Sequence, residues 1–507
     1  MASNGGFEPM ATEYASVDES GDDAGDRRAQ NASLLHFDPK TVGDEMVNTG
    51  VGGEDAKPKL AAALFNEFSG TFFLCLCIGF TGSPIAIGWM LAVLVYSGGH
   101  LSGAHYNPAV TLCAALCTKL KWSAVLLYWG AQVAGAVAAG ALTKSFAPHS
   151  PYLVGRGTPT GVYPVKDPKA TDGQAFLGEF LITTVLCFTV CSVAFAKKQA
   201  GNSFFGYAIG FTVLAGAAAV GPISGGAFNP AVGCLAFFHS ETVWIYWLAP
   251  LMGAAAAAVL YWTVFTDEIQ DETLARFPGL RAKLALVSPY VMELVGTFYL
   301  CLIVGMRGTA AYEVGAILTA MVFAGGCVSG GHYNPAVTLT LLLSRAGDMS
   351  VLKAARYVGC QLVGALLAAW SASALSYTDD AQNKNGAASY PRLCSASTCN
   401  GADPISPLGA MVLEAIATFA LCWTVLNVAV AKETAGNSFF GFAIGFVVFA
   451  MASMFGTVTG GAFNPAVGTL GFFHGHGGEL YIYWIGDLAG AAAASFAFHA
   501  SRVAKTM

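Results

Sequence analysis

Long apolar runs separated by short polar segments dominate the chain after residue 59. Twelve of these runs are long enough to cross a bilayer as a helix, which takes about 20 apolar residues. They lie near residues 60–80, 85–104, 123–143, 174–196, 203–222, 243–265, 287–306, 312–330, 351–376, 407–431, 438–457 and 479–500. This pattern predicts an all-α membrane protein with twelve transmembrane helices.

Four further apolar segments are too short to span a bilayer, and each begins with the tripeptide Asn-Pro-Ala. They cover residues 107–118, 229–238, 334–344 and 464–473. Asn is favoured at a helix N-cap, and Pro suits the first helical position because no N–H is needed there. A half-length helix is tolerated in a membrane only where protein or water surrounds it. We therefore expect four re-entrant half-helices.

The chain is a tandem duplication. AGNSFFGYAIGF at residues 200–211 recurs with one change at 435–446, and HYNPAVTL at 105–112 recurs at 332–339. Each copy holds six long runs, and three runs per half require the two halves of a copy to lie inverted in the membrane. We expect a tail over 1–59, a six-helix domain over 60–265, a linker over 266–286, a second six-helix domain over 287–500 and a short tail over 501–507.

Charge is scarce and unevenly distributed. Only 11% of the 507 residues are Asp, Glu, Lys or Arg, and the mean hydropathy is +0.57. These values exclude a soluble enzyme and a nucleic-acid-binding protein, so no nucleic-acid partner is expected. Residues 1–59 hold twelve acidic and five basic side chains, whereas the whole chain has a net charge of −6. The tail is expected to be a disordered, solvated extension.

The distribution of Lys and Arg predicts the orientation. The tails, the linker and the loops on their side of the membrane hold 18 of the 25 basic residues. Because positive charge accumulates on the cytoplasmic side, both termini are predicted to be cytoplasmic. The sequence leaves open whether the membrane is the plasma membrane or a vacuolar or other internal membrane.

In each copy the two Asn-Pro-Ala segments are expected to meet head to head near the midplane. Each helix start carries roughly +0.5 charge, so the pair repels cations while the asparagines donate hydrogen bonds to a neutral oxygen. The twelve candidate residues are Asn107, Pro108, Ala109, Asn229, Pro230, Ala231, Asn334, Pro335, Ala336, Asn464, Pro465 and Ala466. Four such motifs in twelve spans point to a pore.

At these residues the chain resembles the aquaporin (major intrinsic protein) family twice over. Ser-Gly-Ala-His-Tyr-Asn-Pro-Ala-Val-Thr at 102–111 and its counterpart at 329–338 are similar to the family's first signature. The resemblance implies two right-handed six-helix pore domains, passive channel activity rather than catalysis, and no cofactor or metal. It also implies a homodimer in the lipid bilayer that forms a pseudo-tetramer of four pores.

The residues at the outer constriction depart from the family pattern. The family normally has an arginine after the second Asn-Pro-Ala, and this chain has valine in both copies. By family spacing the eight filter residues are Ile87, Ala217, Gly226, Val232, Val314, Ala452, Gly461 and Val467. All are apolar, so the resemblance implies a wide constriction that admits solutes such as glycerol or urea as well as water. Tyr246-Trp247 and Tyr483-Trp484 instead resemble the aromatic pair of water-type members.

Six polar residues inside the apolar runs or just before the Asn-Pro-Ala segments have two interpretations each. Glu67, Glu179, Glu293 and Glu414 match the family's buried glutamates, and they either relay ions or accept hydrogen bonds from the re-entrant loops. Four equivalent copies favour scaffolding. His105 and His332 are expected to line the pores, with bracing of the loop as the alternative.

Other function classes remain open at this stage. A structural or junctional membrane protein with vestigial pores would explain the fold without flux, and loss of the arginine is compatible with an ion pore. An ion-coupled secondary transporter shares the inverted repeats, but it requires ion-binding acids at the midplane. Cys394 and Cys399 lie in a polar loop, and the sequence does not decide whether they are paired.

Overall fold

A computed structural model describes residues 56–146, 164, 166–236, 242–269, 276–307, 310–345, 349–376, 390–394, 404–473 and 477–506. Residues 1–55 of the predicted tail over 1–59, the segment 270–275 of the linker and Cys399 lie outside the described residues. Cys394 is disulfide-bonded. The described part of the chain is helical and contains no β-strand, which confirms the all-α prediction.

The described residues of the first repeat form eight α-helices. They are α1 (Ala56–Thr81), α2 (Pro84–Ser102), α3 (Pro108–Leu116), α4 (Trp122–Phe146), α5 (Asp172–Val190), α6 (Phe205–Ser224), α7 (Pro230–Gly233) and α8 (Val243–Val264). A π-helical turn, Cys191–Phe195, extends α5.

The second repeat follows the same order. Its helices are α9 (Leu280–Arg307), α10 (Ala311–Ser329), α11 (Pro335–Leu343), α12 (Val351–Leu375), α13 (Pro407–Val425), α14 (Phe440–Thr459), α15 (Pro465–Gly468), α16 (Leu470–Phe473) and α17 (Leu480–Thr506). A π-helical turn, Leu426–Val430, extends α13. Twelve helices in the described residues are long and apolar enough to cross a membrane.

The two half-helices of a repeat differ in length. The first ones, α3 and α11, have nine residues each, whereas α7 and α15 end after four. The sequence explains the difference, because the first segments continue Pro-Ala-Val-Thr and the second ones Pro-Ala-Val-Gly. Glycine weakens a helix by about 1 kcal/mol. A Cβ atom at Gly233 would lie 2.6 Å from Cβ of Tyr246, so α8 requires glycine there.

The repeats pack directly against each other within one compact unit that includes all described residues. Four spans are more buried than the rest: α5 and α6 of the first repeat and α9 and α10 of the second. Of the residues in their apolar stretches, 61–83% are buried, whereas the other eight spans have 33–44% buried. The hydroxyl of Tyr299 on α9 donates to the carbonyl oxygen of Leu181 on α5, with an O···O distance of 3.1 Å. These four helices therefore form the interface between the repeats.

Candidate functional site

The two Asn-Pro-Ala asparagines of the first repeat are tied to each other's loops. Each one caps its own half-helix, since Oδ1 of Asn107 accepts the N–H of Ala109 at 2.8 Å. The side-chain nitrogen of Asn107 donates to the carbonyl oxygen of Phe228 at 2.9 Å, and that of Asn229 donates to the carbonyl oxygen of Tyr106 at 2.9 Å. The two half-helices therefore meet N-terminus to N-terminus, as expected for inverted halves.

The second repeat reproduces this exchange. The Asn334 amide donates to the Phe463 carbonyl oxygen at 2.8 Å, and the Asn464 amide donates to the Tyr333 carbonyl oxygen at 2.9 Å. A side-chain amide has two N–H groups, so each asparagine retains one for a further acceptor. Asn334 and Asn464 line the cavity of their repeat, which is where that acceptor would lie.

The carbonyl groups that accept these bonds belong to residues in an uncommon backbone conformation. The residue before each asparagine has a positive φ although it is a bulky aromatic. The four are Tyr106 (φ 50°), Phe228 (φ 50°), Tyr333 (φ 48°) and Phe463 (φ 48°). Such a conformation costs of order 1–3 kcal/mol and persists where the surroundings enforce it, often at functional sites.

The buried glutamates enforce this loop conformation. In the first repeat Oε2 of Glu67 accepts the backbone N–H of Tyr106 at 2.7 Å, and Oε1 accepts the N–H of His105 at 2.9 Å. Gln132 donates to the same carboxylate at 2.8 Å. The equivalent acceptors for Phe228, Tyr333 and Phe463 are Glu179, Glu293 and Glu414. This geometry favours the scaffolding interpretation of the four acids.

The second repeat encloses a cavity of about 750 Å³. It runs past Asn334 and Asn464 to the filter positions Val314, Gly461 and Val467. At the other end its mouth is lined by residues 434–438 and by residues 198–204 of the first repeat. Lys198 at that mouth is the single Asp, Glu, Lys or Arg residue among the described lining residues.

The cavity of the first repeat is much smaller, about 30 Å³, and passes between Asn107 and Asn229. Its described lining includes the filter positions Ile87, Gly226 and Val232. A volume of this size holds only one or two water molecules. The two cavities therefore differ in size although both repeats have the same backbone arrangement.

Two predicted filter residues lie apart from the others. Ala217 and Ala452 are not among the described residues that line either cavity, and Val213 and Val448, one turn earlier on α6 and α14, line them instead. Ala452 packs with Phe463 and Ala417.

Both predicted histidines line their cavities and are also held in place. Nδ1 of His105 lies 3.1 Å from the Thr111 hydroxyl, and Nδ1 of His332 lies 3.1 Å from that of Thr338. The two interpretations of these histidines are therefore compatible, because one ring nitrogen braces the half-helix while the ring borders the cavity.

One buried acid near the second site was missed by the sequence analysis. Asp487 on α17 is fully buried and accepts the Thr418 hydroxyl at 2.9 Å. Its carboxyl group contacts that of Glu414. An acid inside an apolar run is by itself a signal for a functional or structural role, and Asp487 lies within the last run.

The chain is similar in sequence to a known protein family. A family model described as major intrinsic protein matches residues 59–261 and, a second time, residues 304–498. The chain belongs to the major intrinsic protein family. Its two halves are tandem aquaporin units, so it is an integral multi-pass membrane protein and a channel for water and small solutes, not an enzyme.

Relatives of this tandem aquaporin include plant proteins. It is 37% identical to Aquaporin NIP1-3 of Oryza sativa subsp. japonica over 228 residues, which are 41% of this chain and 76% of that protein. It is 38% identical to Nodulin-26 of Glycine max over 213 residues, 41% of this chain and 74% of the relative. The aquaglyceroporin structure from Plasmodium falciparum aligns with 40% of this chain and 95% of its own, at 19% identity and a TM-score of 0.35.

Proposed function

We propose that the protein is a passive channel for water and small uncharged solutes of the glycerol or urea class, with a wide apolar constriction. The four asparagines orient the permeant molecule, and the six apolar filter residues that line the cavities limit its size. No residue of the filter carries a positive charge. The barrier to cations then rests on the paired half-helix N-termini alone.

The observation that carries this proposal is the apolar lining of the constriction in the second repeat, which borders a cavity of about 750 Å³ that also includes its mouth. Val314, Gly461 and Val467 at its constriction offer no side-chain hydrogen-bond donor, and Gly461 leaves space where a side chain would otherwise stand. A solute with several hydroxyl groups would find its donors at Asn334 and Asn464 instead. This arrangement supports passage of molecules larger than water.

The two lumens are proposed to differ in their size limits. At the positions where the two linings correspond, the residue type is identical except at three. The pairs, first repeat before second, are Ile78 and Val304, Ile87 and Val314, and Ala104 and Gly331. In each pair the side chain in the second repeat is one carbon smaller. The second repeat is therefore proposed as the main solute pathway and the first as a narrower one.

A homodimer with four pores is the proposed assembly. Tyr299 and Leu181 join the two repeats within one chain, and their counterparts in the other repeat are Phe73 and Ile416. Phe73 is 48% exposed and Ile416 is 51% exposed, whereas Tyr299 is 4% exposed. A second chain turned by a two-fold rotation would cover both surfaces with an equivalent packing contact, without the hydrogen bond because phenylalanine has no hydroxyl.

We also propose the domain bounds and the orientation of the termini. The first pore domain is proposed to cover 60–265 and the second 287–500, joined by the linker 266–286, with both termini cytoplasmic. The linker begins close to the first domain, because Oε2 of Glu268 lies 2.8 Å from Nζ of Lys119. The plasma membrane and a vacuolar or other internal membrane are both compatible with this orientation.

Stopped-flow swelling of proteoliposomes in water, glycerol and urea tests the proposed function. Two matched variants, Val232→Trp and Val467→Trp, each fill the constriction of one repeat. We expect Val467→Trp to remove most of the glycerol flux, and Val232→Trp to leave most of it. Water flux is expected to fall in part in both variants, because both lumens conduct water.

The other outcomes are equally distinct. Water flux without glycerol or urea flux would contradict the wide constriction. It would favour a water-type channel, which the aromatic pairs Tyr246-Trp247 and Tyr483-Trp484 resemble. No flux above empty liposomes, with the protein shown to be inserted and folded, would support a structural role. A current carried by Na⁺ or K⁺ would show that the half-helix dipoles do not exclude cations.

A further inference from the structure

Three cysteines of the first repeat meet at one buried point. Cys113 lies on the half-helix α3, Cys117 caps its C-terminus, and Cys191 begins the π-helical turn after α5. The Sγ atom of Cys191 lies 3.4 Å from that of Cys113 and 3.8 Å from that of Cys117. All three sulfur atoms lie within 4.8 Å of one another, and all three thiols are free.

The second repeat provides an internal comparison, because it has the same backbone without the cluster. The counterparts of Cys113, Cys117 and Cys191 are Thr340, Ser344 and Leu426. Packing at this place therefore does not demand cysteine. The three thiols occur together in one repeat and are absent together from the other.

A fourth residue differs between the repeats at the same place. Tyr261 on α8 is fully buried, and its hydroxyl finds no hydrogen-bond partner among the described residues. It lies near Cys113, Cys117 and Cys191. Its counterpart in the second repeat is Phe498, which carries no hydroxyl. An unpaired buried hydroxyl is costly, and a charged group at the thiols would give it a partner.

The distances suit coordination by thiolates. Zn–S bonds are about 2.3 Å long, so two sulfur ligands of a tetrahedral Zn²⁺ stand about 3.8 Å apart. Thiolate ligands select soft ions such as Zn²⁺ and Cu⁺. Three thiolates and Zn²⁺ carry a net charge of −1, against −2 with Cu⁺, and the smaller charge costs less to bury.

We propose that Cys113, Cys117 and Cys191 form a binding site for one soft metal cation, with Zn²⁺ as the favoured ion. The three thiols lose three protons when the ion binds, and no oxidation takes place. The bound ion would fasten the C-terminal end of α3, whose N-cap is Asn107, to the fourth span of the first repeat. The site lies outside the described linings of both cavities, so it is independent of the proposed solute pathway.

Metal binding to the purified, reduced full-length protein tests this proposal. Metal content is measured after dialysis against Zn²⁺, and Cd²⁺ is titrated while the ultraviolet thiolate-to-metal charge-transfer band is recorded. We expect one ion per chain and a higher unfolding temperature for the loaded protein. A Cu⁺ titration in competition with Zn²⁺ determines which ion the site prefers.

The second repeat supplies variants that the fold already tolerates. Cys113→Thr and Cys117→Ser introduce the residues found at the same places in that repeat, and each is expected to weaken binding by at least about tenfold. Cys422→Ser, in the second repeat and away from the cluster, is the control and is expected to bind as the parent does. An unloaded parent protein, a Cys113–Cys191 disulfide that forms instead of the complex, or undiminished binding in the Cys113→Thr, Cys117→Ser double variant would overturn the proposal.

Discussion

The ring of Phe204 in the first repeat stacks on the ring of Phe323 in the second, with centroids 4.1 Å apart and planes inclined by 7°. Gln199, in the same loop, donates to the Phe323 carbonyl oxygen at 2.6 Å. The counterpart of Phe204 in the second repeat is Phe439, which is 53% exposed. In each repeat, one surface is therefore covered by the other repeat of the same chain, and a second, equivalent surface is exposed.

A cysteine cross-link between two chains tests whether a second chain covers the uncovered halves. Phe73→Cys and Ile416→Cys are combined in one chain and treated with a short bismaleimide in proteoliposomes. Because the equivalent in-chain pair is in contact, we expect a covalent dimer on a denaturing gel. Phe73→Cys combined with Val137→Cys, a 54% exposed position on α4, is the control. Equal cross-linking in both, or none in either, would contradict the proposed dimer.

The difference in lumen width leads to a second prediction. Ile78→Val, Ile87→Val and Ala104→Gly together give the first lumen the lining of the second. In a Val467→Trp background, where the second lumen is filled, we expect glycerol flux to rise severalfold while water flux changes less. The measurement is stopped-flow swelling.

The reverse set is the matched control for this prediction. Val304→Ile, Val314→Ile and Gly331→Ala in a Val232→Trp background are expected to lower glycerol flux. Gly331 has φ 64°, but Ala104 occupies the equivalent position at φ 51°, so the substitution is tolerated at a cost of about 1–2 kcal/mol. No change in either set would mean that the width is not determined by these side chains.

The bracing glutamates give a prediction on stability. Glu67→Gln replaces a carboxylate oxygen with an amide that donates, while the backbone N–H groups of His105 and Tyr106 still require acceptors. We expect the free energy of unfolding to fall by about 3 kcal/mol, and flux through the first lumen to be lost while the second still conducts. Thermal unfolding in detergent and swelling assays measure the two effects.

Glu313→Gln is the control for this substitution. Glu313 forms an ion pair with Arg307 at 3.3 Å near the start of α10, where screening makes such a pair worth at most about 1 kcal/mol. We expect no loss of flux in this variant. An equal effect of both substitutions would show that Glu67 has no special role in the loop.

The sequence predicts the long helices well because burial in lipid requires uninterrupted apolar runs, and all twelve lie where those runs lie. The second short segment of each repeat is also helical over the described part of its predicted length, because a 3₁₀ turn at Cys234–Ala236 follows α7 and α16 follows α15. The sequence does not predict the difference between the two cavity volumes. We propose that it arises from the single carbons that distinguish Ile78, Ile87 and Ala104 from their counterparts in the second repeat.

The sequence marks Asp487 as an acid within an apolar run, but it does not show that Asp487 pairs with Glu414 on another helix. Oδ2 of Asp487 receives no hydrogen bond from any donor in the described residues, although the Glu414 carboxyl group is in contact with it. Two carboxyl groups in contact do not both ionise, so a single proton between them is expected to supply the missing bond. The sequence alone does not bring the two acids together.

Substitution of Asp487 separates a scaffold from a proton-coupled site. Asp487→Asn supplies permanent N–H donors toward Glu414 and keeps an oxygen for the Thr418 hydroxyl, so we expect the free energy of unfolding to change by less than about 1 kcal/mol. Asp487→Leu leaves the Thr418 hydroxyl and Glu414 unsatisfied and is expected to cost about 1–3 kcal/mol. In proteoliposomes with a pH gradient, neither the parent nor Asp487→Asn is expected to accumulate glycerol above equilibrium. Gradient-driven accumulation that Asp487→Asn abolishes would instead make the Glu414–Asp487 pair the coupling site of a transporter, and the passive mechanism would be wrong for the second repeat.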